Sequence, residues 1–215
     1  ASLSFDSEQP LGCLLPHDGA VKYRPEIAAA IGKCGTCLSF PTEDLYRCLL
    51  RILVYLARTP QLGMTYSKYA EKPKLHAYAD SDWSTTRSTT GFVIFLAGAA
   101  IAIASRRQHC ITMSSTEAEL VALCDLAIEL LYVKELVTFM GYKIDGEIPV
   151  CTDNKGAYDL CHRFTSAQHS RHVDRKVFKM RELRGAGVVT VDHVPTEMNP
   201  ADLFTKVLKR QAFEQ

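Results

Sequence analysis

The sequence predicts an α/β fold, with a mixed five-stranded sheet flanked by helices and preceded by a small helical hairpin. Three observations support this prediction: helical periodicity over residues 24–58, strand-like apolar segments from residue 74 onward, and later strands that alternate with helical segments. Three consecutive strands with short loops favour an antiparallel meander, whereas strands reached through a helix favour parallel addition.

The composition is that of an ordinary folded protein. Of the 215 residues, 47% are hydrophobic and 23% are charged, and the net charge is +1. A nucleic-acid-binding surface therefore has to be a local concentration of Lys and Arg. No apolar run is long enough to cross a membrane, and we expect no membrane partner. No charged-then-apolar signal sequence opens the chain, which favours an intracellular location.

The pattern in the first 72 residues predicts a helical segment. This segment is too small to form a convincing independent domain. Residues 1–21 lack periodicity, and we expect them to be extended or loop. Pro25 lies near the start of a first helix, where proline is favoured. Thr42 opens a second helix with an apolar stripe, which ends before Pro60.

Strands and helices alternate in the remainder of the chain. Residues 74–79, 90–96 and 99–104 are predicted strands, and Gly98 is a natural corner between the last two. The remaining expected elements are a helix over 115–141, a strand over 149–152, helices over 154–163 and 172–184, a strand over 188–194 and a final helix from Asn199.

Two acids lie at the start of the long helix, which Ser115 or Thr116 is expected to cap. Glu117 lies near the solvated cap, where the helix dipole stabilises a carboxylate. Glu119 falls beside the apolar face, where a carboxylate costs free energy unless it is paired, hydrogen-bonded or metal-bound. Taken alone, Glu119 is also compatible with a simple first-turn acid.

Three further acids stand at the ends of elements. Asp80 ends the first strand, Asp153 ends the fourth, and Asp202 lies in the first turn of the last helix. If the first and fourth strands are parallel neighbours, Asp80 and Asp153 lie side by side at their carboxyl ends. Converging carboxylates repel one another, and Mg²⁺ or Mn²⁺ relieves that repulsion. Singly, each acid also has a plain structural explanation as a cap, a dipole partner or a solvated loop residue.

Four motifs in order carry a family resemblance. They are Tyr-Ala-Asp-Ser-Asp-Trp at 78–83, Ser-Ser-Thr-Glu-Ala-Glu-Leu-Val-Ala-Leu at 114–123, Cys-Thr-Asp-Asn at 151–154 and Pro-Thr-Glu-Met-Asn-Pro-Ala-Asp-Leu-Phe-Thr-Lys at 195–206. Together they resemble the ribonuclease H domain of Ty1/copia-type retrotransposon polyproteins, over residues 73–208. Residues 1–72 resemble the end of the copia-type reverse transcriptase, and residues 209–215 are left as a tail.

The resemblance implies a ribonuclease H-like fold with a four-carboxylate active site of Asp80, Glu119, Asp153 and Asp202. It implies two bound Mg²⁺ ions, with Mn²⁺ as a substitute, and hydrolysis of the RNA strand of RNA–DNA hybrids. In that two-metal mechanism one ion positions and deprotonates the attacking water, and the other stabilises the departing 3′ oxygen. The resemblance selects Glu119 rather than Glu117.

Polar and basic side chains around the motifs are candidate nucleic-acid contacts. They are Asn154, Gln108, Arg106, Arg107, Arg171, His172, Arg175 and Lys179. For the basic residues a plain solvated face is an open alternative, because charge runs usually serve solvation. The expected partners are an RNA–DNA hybrid or a structured RNA, and a reverse transcriptase or a larger ribonucleoprotein assembly.

Two classes of function follow. The first is a retrotransposon-derived, metal-dependent ribonuclease H. The second is a host-adopted RNA-binding or structural subunit of a ribonucleoprotein particle, which uses the same fold with little or no catalysis. The presence of all four acids favours the enzyme, and the near-neutral net charge keeps the second class open.

Overall fold

The computed structural model describes residues 18–66, 74–162 and 171–206. The chain divides into two compact units, Ala1–Met64 and Thr65–Gln215. The predicted domain boundary between residues 72 and 73 lies outside the described residues, as does the tail at 209–215.

The first unit contains the predicted helical hairpin. Its elements are α1 (Asp18–Tyr23), a 3-10 helix (Pro25–Ile27), α2 (Ala28–Gly35) and α3 (Glu43–Arg58). The Thr42 hydroxyl caps α3 by accepting a hydrogen bond from the Leu45 amide at 3.2 Å. Ile27, Leu45 and Leu49 are buried in a small core. The expectation of extended or loop conformation over residues 1–21 is wrong for residues 18–21, which belong to α1, because a six-residue helix is too short to produce a periodic pattern. Residues 1–17 lie outside the described residues.

The second unit contains the mixed five-stranded sheet that the sequence predicts. Its elements are β1 (Leu75–Asp82), β2 (Thr89–Leu96), β3 (Ala99–Arg107), α4 (Ser115–Phe139), β4 (Ile148–Thr152), α5 (Lys155–His162), α6 (Arg171–Gly185), β5 (Val189–His193) and two 3-10 helices (Thr196–Met198 and Pro200–Phe204). The strand order is β3-β2-β1-β4-β5. The β1–β2 and β2–β3 pairs are antiparallel, and the β1–β4 and β4–β5 pairs are parallel.

The predicted corner at Gly98 is confirmed. Ala97 and Gly98 connect β2 to β3 with φ angles of 52° and 81°. Positive φ at both central residues matches the twist of a two-residue hairpin.

The core of the second unit lies between the sheet and α4. Leu120, Leu123, Leu126 and Leu130 of α4 are fully buried against the sheet residues. The final helix that the sequence predicts from Asn199 is a 3-10 helix. Its start is fixed by the Asn199 side chain, which accepts a hydrogen bond from the Ala201 amide at 3.1 Å. Within the described stretches, no helix has the length and apolar character needed to span a membrane.

Candidate active site

The parallel pairing of β1 and β4 brings two of the predicted acids together. Tyr78 of β1 is registered with Cys151 of β4. Asp80 and Asp153 each lie two residues further along their segments, at the carboxyl ends of adjacent parallel strands. This is the edge at which α/β sheets place their ligands.

The last 3-10 helix brings Asp202 to the same edge. The Asn199 side-chain amide donates to the Ala79 carbonyl at 3.0 Å, which ties the start of this helix to β1. After the helix, the Thr205 hydroxyl donates to Oδ2 of Asp80. Gly91 of β2 allows this approach, because a Cβ there would lie 3.0 Å from the Ala201 carbonyl oxygen.

Asp80, Asp153 and Asp202 form a cluster that we call the carboxylate triad. Each offers one oxygen, and these oxygens all lie within 4.8 Å of one another. Asp80 is only 1% exposed, whereas Asp153 and Asp202 are half-buried. An all-oxygen donor set of this kind suits a hard divalent cation such as Mg²⁺ or Mn²⁺. The residues present therefore fit the implied metal.

Glu119 stands beside the carboxylate triad. Its Oε1 accepts hydrogen bonds from the amide and the hydroxyl of Ser81, both at 3.0 Å. Its Oε2 accepts from the Thr152 hydroxyl at 3.3 Å. Burial, followed by the charges of Asp80 and Asp153, raises the pKa of Glu119 to about 8, although the hydrogen bonds from Ser81 act in the opposite direction. Glu119 is thus electrostatically part of the site, although its oxygens do not fall within the close cluster of the triad.

Asp202 also has a perturbed proton equilibrium. Burial raises its pKa to about 6, against the lowering effect of a hydrogen bond from Lys206. The charge of Asp80 acts in the same direction as burial. The triad therefore carries more negative charge than its surroundings readily stabilise.

Lys206 is a member of the site that the sequence analysis did not identify. Its Nζ lies 2.7 Å from Oδ1 of Asp202 and 3.3 Å from Oδ1 of Asp80. Burial alone would lower the pKa of Lys206, but the hydrogen bond to Asp202 and the charges of both acids raise it above its ordinary value. The available sequence signal was the spacing of four residues from Asp202 to Lys206, which brings an acid and a base together on one helical turn.

The cap of α4 lies one residue earlier than expected. Ser114, rather than Ser115 or Thr116, accepts the hydrogen bond from the Glu117 amide, at 3.2 Å. The Glu117 carboxylate in turn accepts from the Met113 amide at 2.8 Å. Glu117 therefore serves the cap as predicted, but it is buried rather than solvated.

Gln108 is buried, so its side chain is not available for the predicted contact with nucleic acid. It is 2% exposed, and its side-chain amide donates to the Thr90 hydroxyl and the Ala118 carbonyl. These bonds join β2 to α4, so Gln108 supports the start of the helix that bears Glu119. Asn154 is half-buried, and its Oδ1 caps α5 by accepting from the Ala157 amide at 2.9 Å.

The basic candidates fall into two groups. Arg106 and Arg107 are exposed at the end of β3. On α6, Arg175 is exposed, and Lys179 is half-buried and paired with Glu182 at 3.3 Å. The side chains of Arg171 and His172 lie outside the described part of the structure.

His193 also lies at the carboxyl edge of the sheet. It ends β5, and its Nε2 lies 3.0 Å from the Asp153 carbonyl oxygen. The imidazole thus helps to fix the backbone that carries one acid of the triad. No local pattern in the sequence indicates this contact, because it joins residues 40 positions apart.

Known proteins resemble this chain in sequence and in fold. The retrovirus-related Pol polyprotein of transposon RE1 from Arabidopsis thaliana is 32% identical over 204 residues, which cover 91% of this chain and 14% of the polyprotein. The chain therefore spans a small part of that relative. No protein-family model matches the chain.

Two solved structures align with this chain. The foamy viral protease-reverse transcriptase, determined in complex with dsDNA, aligns with a TM-score of 0.50 at 15% identity over 90% of this chain and 40% of that one. LC11-RNase H1, isolated from compost by a metagenomic approach, aligns with a TM-score of 0.48 at 20% identity over 66% of this chain and 96% of that one.

The second unit has the predicted mixed five-stranded sheet. Over 91% of its length, this chain is similar to retrotransposon Pol polyproteins, in agreement with the predicted Ty1/copia-type resemblance.

Proposed function

We propose that this chain is a metal-dependent endonuclease that hydrolyses the RNA strand of RNA–DNA hybrids. The observation that carries the proposal is the convergence of Asp80, Asp153 and Asp202 within 4.8 Å at the carboxyl edge of the sheet. Three carboxylates alone would repel a phosphodiester, so the site needs cations before it can bind one. Divalent ions held there would supply charge neutralisation and activation of water for phosphodiester hydrolysis.

The chain's own residues support this chemistry by holding the acids in fixed positions. Asp80 is oriented by the Thr205 hydroxyl, and Glu119 is oriented by both polar groups of Ser81. The Asp153 backbone is held by His193. Rigid placement of ligands from several elements is the condition for binding ions and substrate in one geometry.

The sheet register supports a path for nucleic acid next to the acids. Ser81 of β1 is registered with Thr90 of β2, and Thr90 is registered with Arg106 of β3. Neighbouring strands lie about 4.8 Å apart, so the backbone of Arg106 lies two strands from that of Ser81. We assign Arg106 and Arg107 as phosphate contacts for the duplex. Binding of dsDNA by the foamy viral protein supports a duplex ligand.

The test is Mg²⁺-dependent cleavage of a hybrid labelled on its RNA strand. We expect cleavage by the wild-type chain and loss of cleavage in Asp153→Asn. Asp145→Asn is the matched control, because Asp145 precedes β4 and so lies at the opposite end of the strand from Asp153. Double-stranded RNA and double-stranded DNA serve as competing substrates and should remain intact.

Cleavage by the wild type that is no greater than cleavage by Asp153→Asn would overturn the proposed endonuclease activity. Retained binding of the hybrid or of structured RNA without cleavage would then favour the host-adopted binding subunit.

A further inference from the structure

A lysine of the chain itself contacts two of the three acids of the carboxylate triad. The Lys206 ammonium contacts one oxygen of Asp202 at 2.7 Å and one oxygen of Asp80 at 3.3 Å. The Asp80 side chain is only 2% exposed, and a buried carboxylate needs a countercharge in order to stay ionised. Lys206 supplies that charge from outside the sheet.

The oxygens that Lys206 contacts belong to residues that would also bind a divalent ion. Asp80 and Asp202 are two of the three members of the triad. Mg²⁺ binds carboxylate oxygens at about 2.0–2.1 Å. An ammonium group that stays on the same oxygens would lie close to the ion and repel it, because like charges at such distances interact strongly away from bulk water.

The exposure of Lys206 also allows its ammonium group to leave the two acids. Its side chain is 37% exposed, in contrast to the buried Asp80. Lysine carries its charge on a flexible four-carbon stem and is strongly hydrated when released. The ammonium can therefore move into water without disturbing β1 or the 3-10 helix.

We propose that Lys206 is a displaceable counter-cation, which holds Asp80 and Asp202 together before a divalent ion binds and leaves them when the ion arrives. This inference rests on the proposed function, since it assigns a positioning role to a residue of the same site. Lys206 then sets the concentration of metal at which the site fills, because each ion has to replace an existing ion pair.

The first test uses the wild-type chain and reads out Lys206 directly. Lysines are acylated with a water-soluble succinimidyl ester, with and without saturating Mn²⁺, and the extent at each lysine is measured by peptide mass spectrometry. We expect acylation of Lys206 to rise severalfold with Mn²⁺. Lys176 is the internal control, because it pairs with Asp125 at 3.4 Å away from the triad. Unchanged or reduced acylation of Lys206 would overturn the proposal.

The second test measures Mn²⁺ affinity by calorimetry. Lys206→Met keeps the length of the stem and removes the charge, so we expect its Kd to fall by about tenfold, in keeping with the loss of a short-range like charge. Lys206→Arg retains the charge and should bind Mn²⁺ nearly as the wild type does. Lys176→Met is the control and should also resemble the wild type. A Lys206→Met variant that binds no more tightly than the wild type would contradict the proposal.

The two tests separate this inference from the proposed function. If the wild-type chain neither binds Mn²⁺ nor cleaves a hybrid, the proposed enzymatic function is overturned. A gain of Mn²⁺ binding in Lys206→Met would still support the role of Lys206 as a counter-cation. If neither form binds Mn²⁺, both proposals are overturned. Should Lys206→Met fail to fold because Asp80 loses its partner, the acylation of wild-type chain decides.

Discussion

Asp80 and Glu119 are both nearly removed from water, at 1% and 4% exposure, yet different groups stabilise them. Asp80 contacts the Lys206 ammonium and the Thr205 hydroxyl. Glu119 accepts hydrogen bonds from neutral groups of Ser81 and Thr152. A neutral donor stabilises a carboxylate less than a cation does. Burial is therefore the largest cause that raises the pKa of Glu119 to about 8.

Glu119→Gln is expected to remove a pH dependence of stability. The pKa of Glu119 is raised from 4.5 to about 8, so between these values the folded protein keeps a proton that the unfolded chain has released. The free energy of unfolding of the wild type should therefore fall as pH rises through this range. Glu119→Gln should lose this contribution and be the more stable protein near pH 8. Thermal unfolding of both proteins, measured in the presence of a chelator across this pH range, tests the difference in stability.

The control for that experiment is Glu135→Gln, an exposed acid on the same helix. It should follow the wild type at every pH. Equal pH slopes for wild type and Glu119→Gln would contradict the assignment of a raised pKa.

At the scale of elements, the site depends on how two segments begin. The start of α4 carries Glu119 and is fixed by two side-chain bonds to backbone amides: Ser114 accepts from the Glu117 amide, and Glu117 accepts from the Met113 amide. The start of the last 3-10 helix carries Asp202, and Asn199 fixes it. Both acids therefore lie on segments whose first residues are held by polar side chains, which limits their freedom to fray.

Ser114→Ala is expected to destabilise the fold by about 1 kcal/mol, the usual cost of removing an N-cap. The hydroxyl of Ser114 accepts from the Glu117 amide, and alanine leaves that amide without its partner. Ser115→Ala, one residue along, should cost little, because the cap bond comes from Ser114. Urea unfolding of the two variants measures the difference. A larger loss at Ser115 would show that the cap lies there.

Gly91→Ala is expected to separate Asp202 from Asp80. A Cβ at Gly91 would lie 2.5 Å from Cγ2 of Thr205 and 3.0 Å from the Ala201 carbonyl oxygen. The 3-10 helix between these residues would have to shift, at a cost of about 1–3 kcal/mol for an overpacked site. Mn²⁺ affinity should fall together with stability.

Gly185→Ala is the matched control for the glycine variant, since a Cβ there meets nothing within 4 Å. Its stability and Mn²⁺ affinity should stay near those of the wild type. Undiminished Mn²⁺ binding by Gly91→Ala would show that the helix does not need this close approach.

At the scale of the whole molecule, a net charge of +1 conceals a division of charge. Three acids are gathered at the carboxyl edge of the sheet, and two exposed arginines, Arg106 and Arg107, end the outer strand β3. A polyanion that reaches the site would meet cations on β3 beside the acids. Binding should therefore depend on local charge and on salt rather than on the overall charge.

The double variant Arg106→Gln/Arg107→Gln is expected to weaken hybrid binding and to reduce its salt dependence. Each lost phosphate contact lowers the slope of log affinity against log salt by about 0.7–0.9. Fluorescence anisotropy with a catalytically silent Asp153→Asn background measures the slope. Arg47→Gln, an exposed arginine of the first unit that pairs with Glu43, is the control. An unchanged slope in the double variant would remove these arginines from the interface.

Local patterns in the sequence determined most of the fold. Apolar periodicity predicted α3, α4 and all five strands, because an element that buries one face has apolar residues at regular spacing in the local sequence. The placement of acids at the ends of elements, together with the ordered motifs, identified Asp80, Glu119, Asp153 and Asp202 as candidate site residues. These features are local, or follow from strand adjacency.

Only the tertiary structure decided which polar groups meet across the chain. Lys206 reaches Asp80, a residue 126 positions away, and Gln108 turns inward to join β2 to α4. Neither outcome has a local signature, because the direction of a polar side chain depends on what distant segments pack around it. The sequence by itself determined which acids stand at the edge of the sheet. The packing of the last 3-10 helix against Gly91 decided that Lys206 contacts two of them, since a close approach of that helix requires a residue without a side chain.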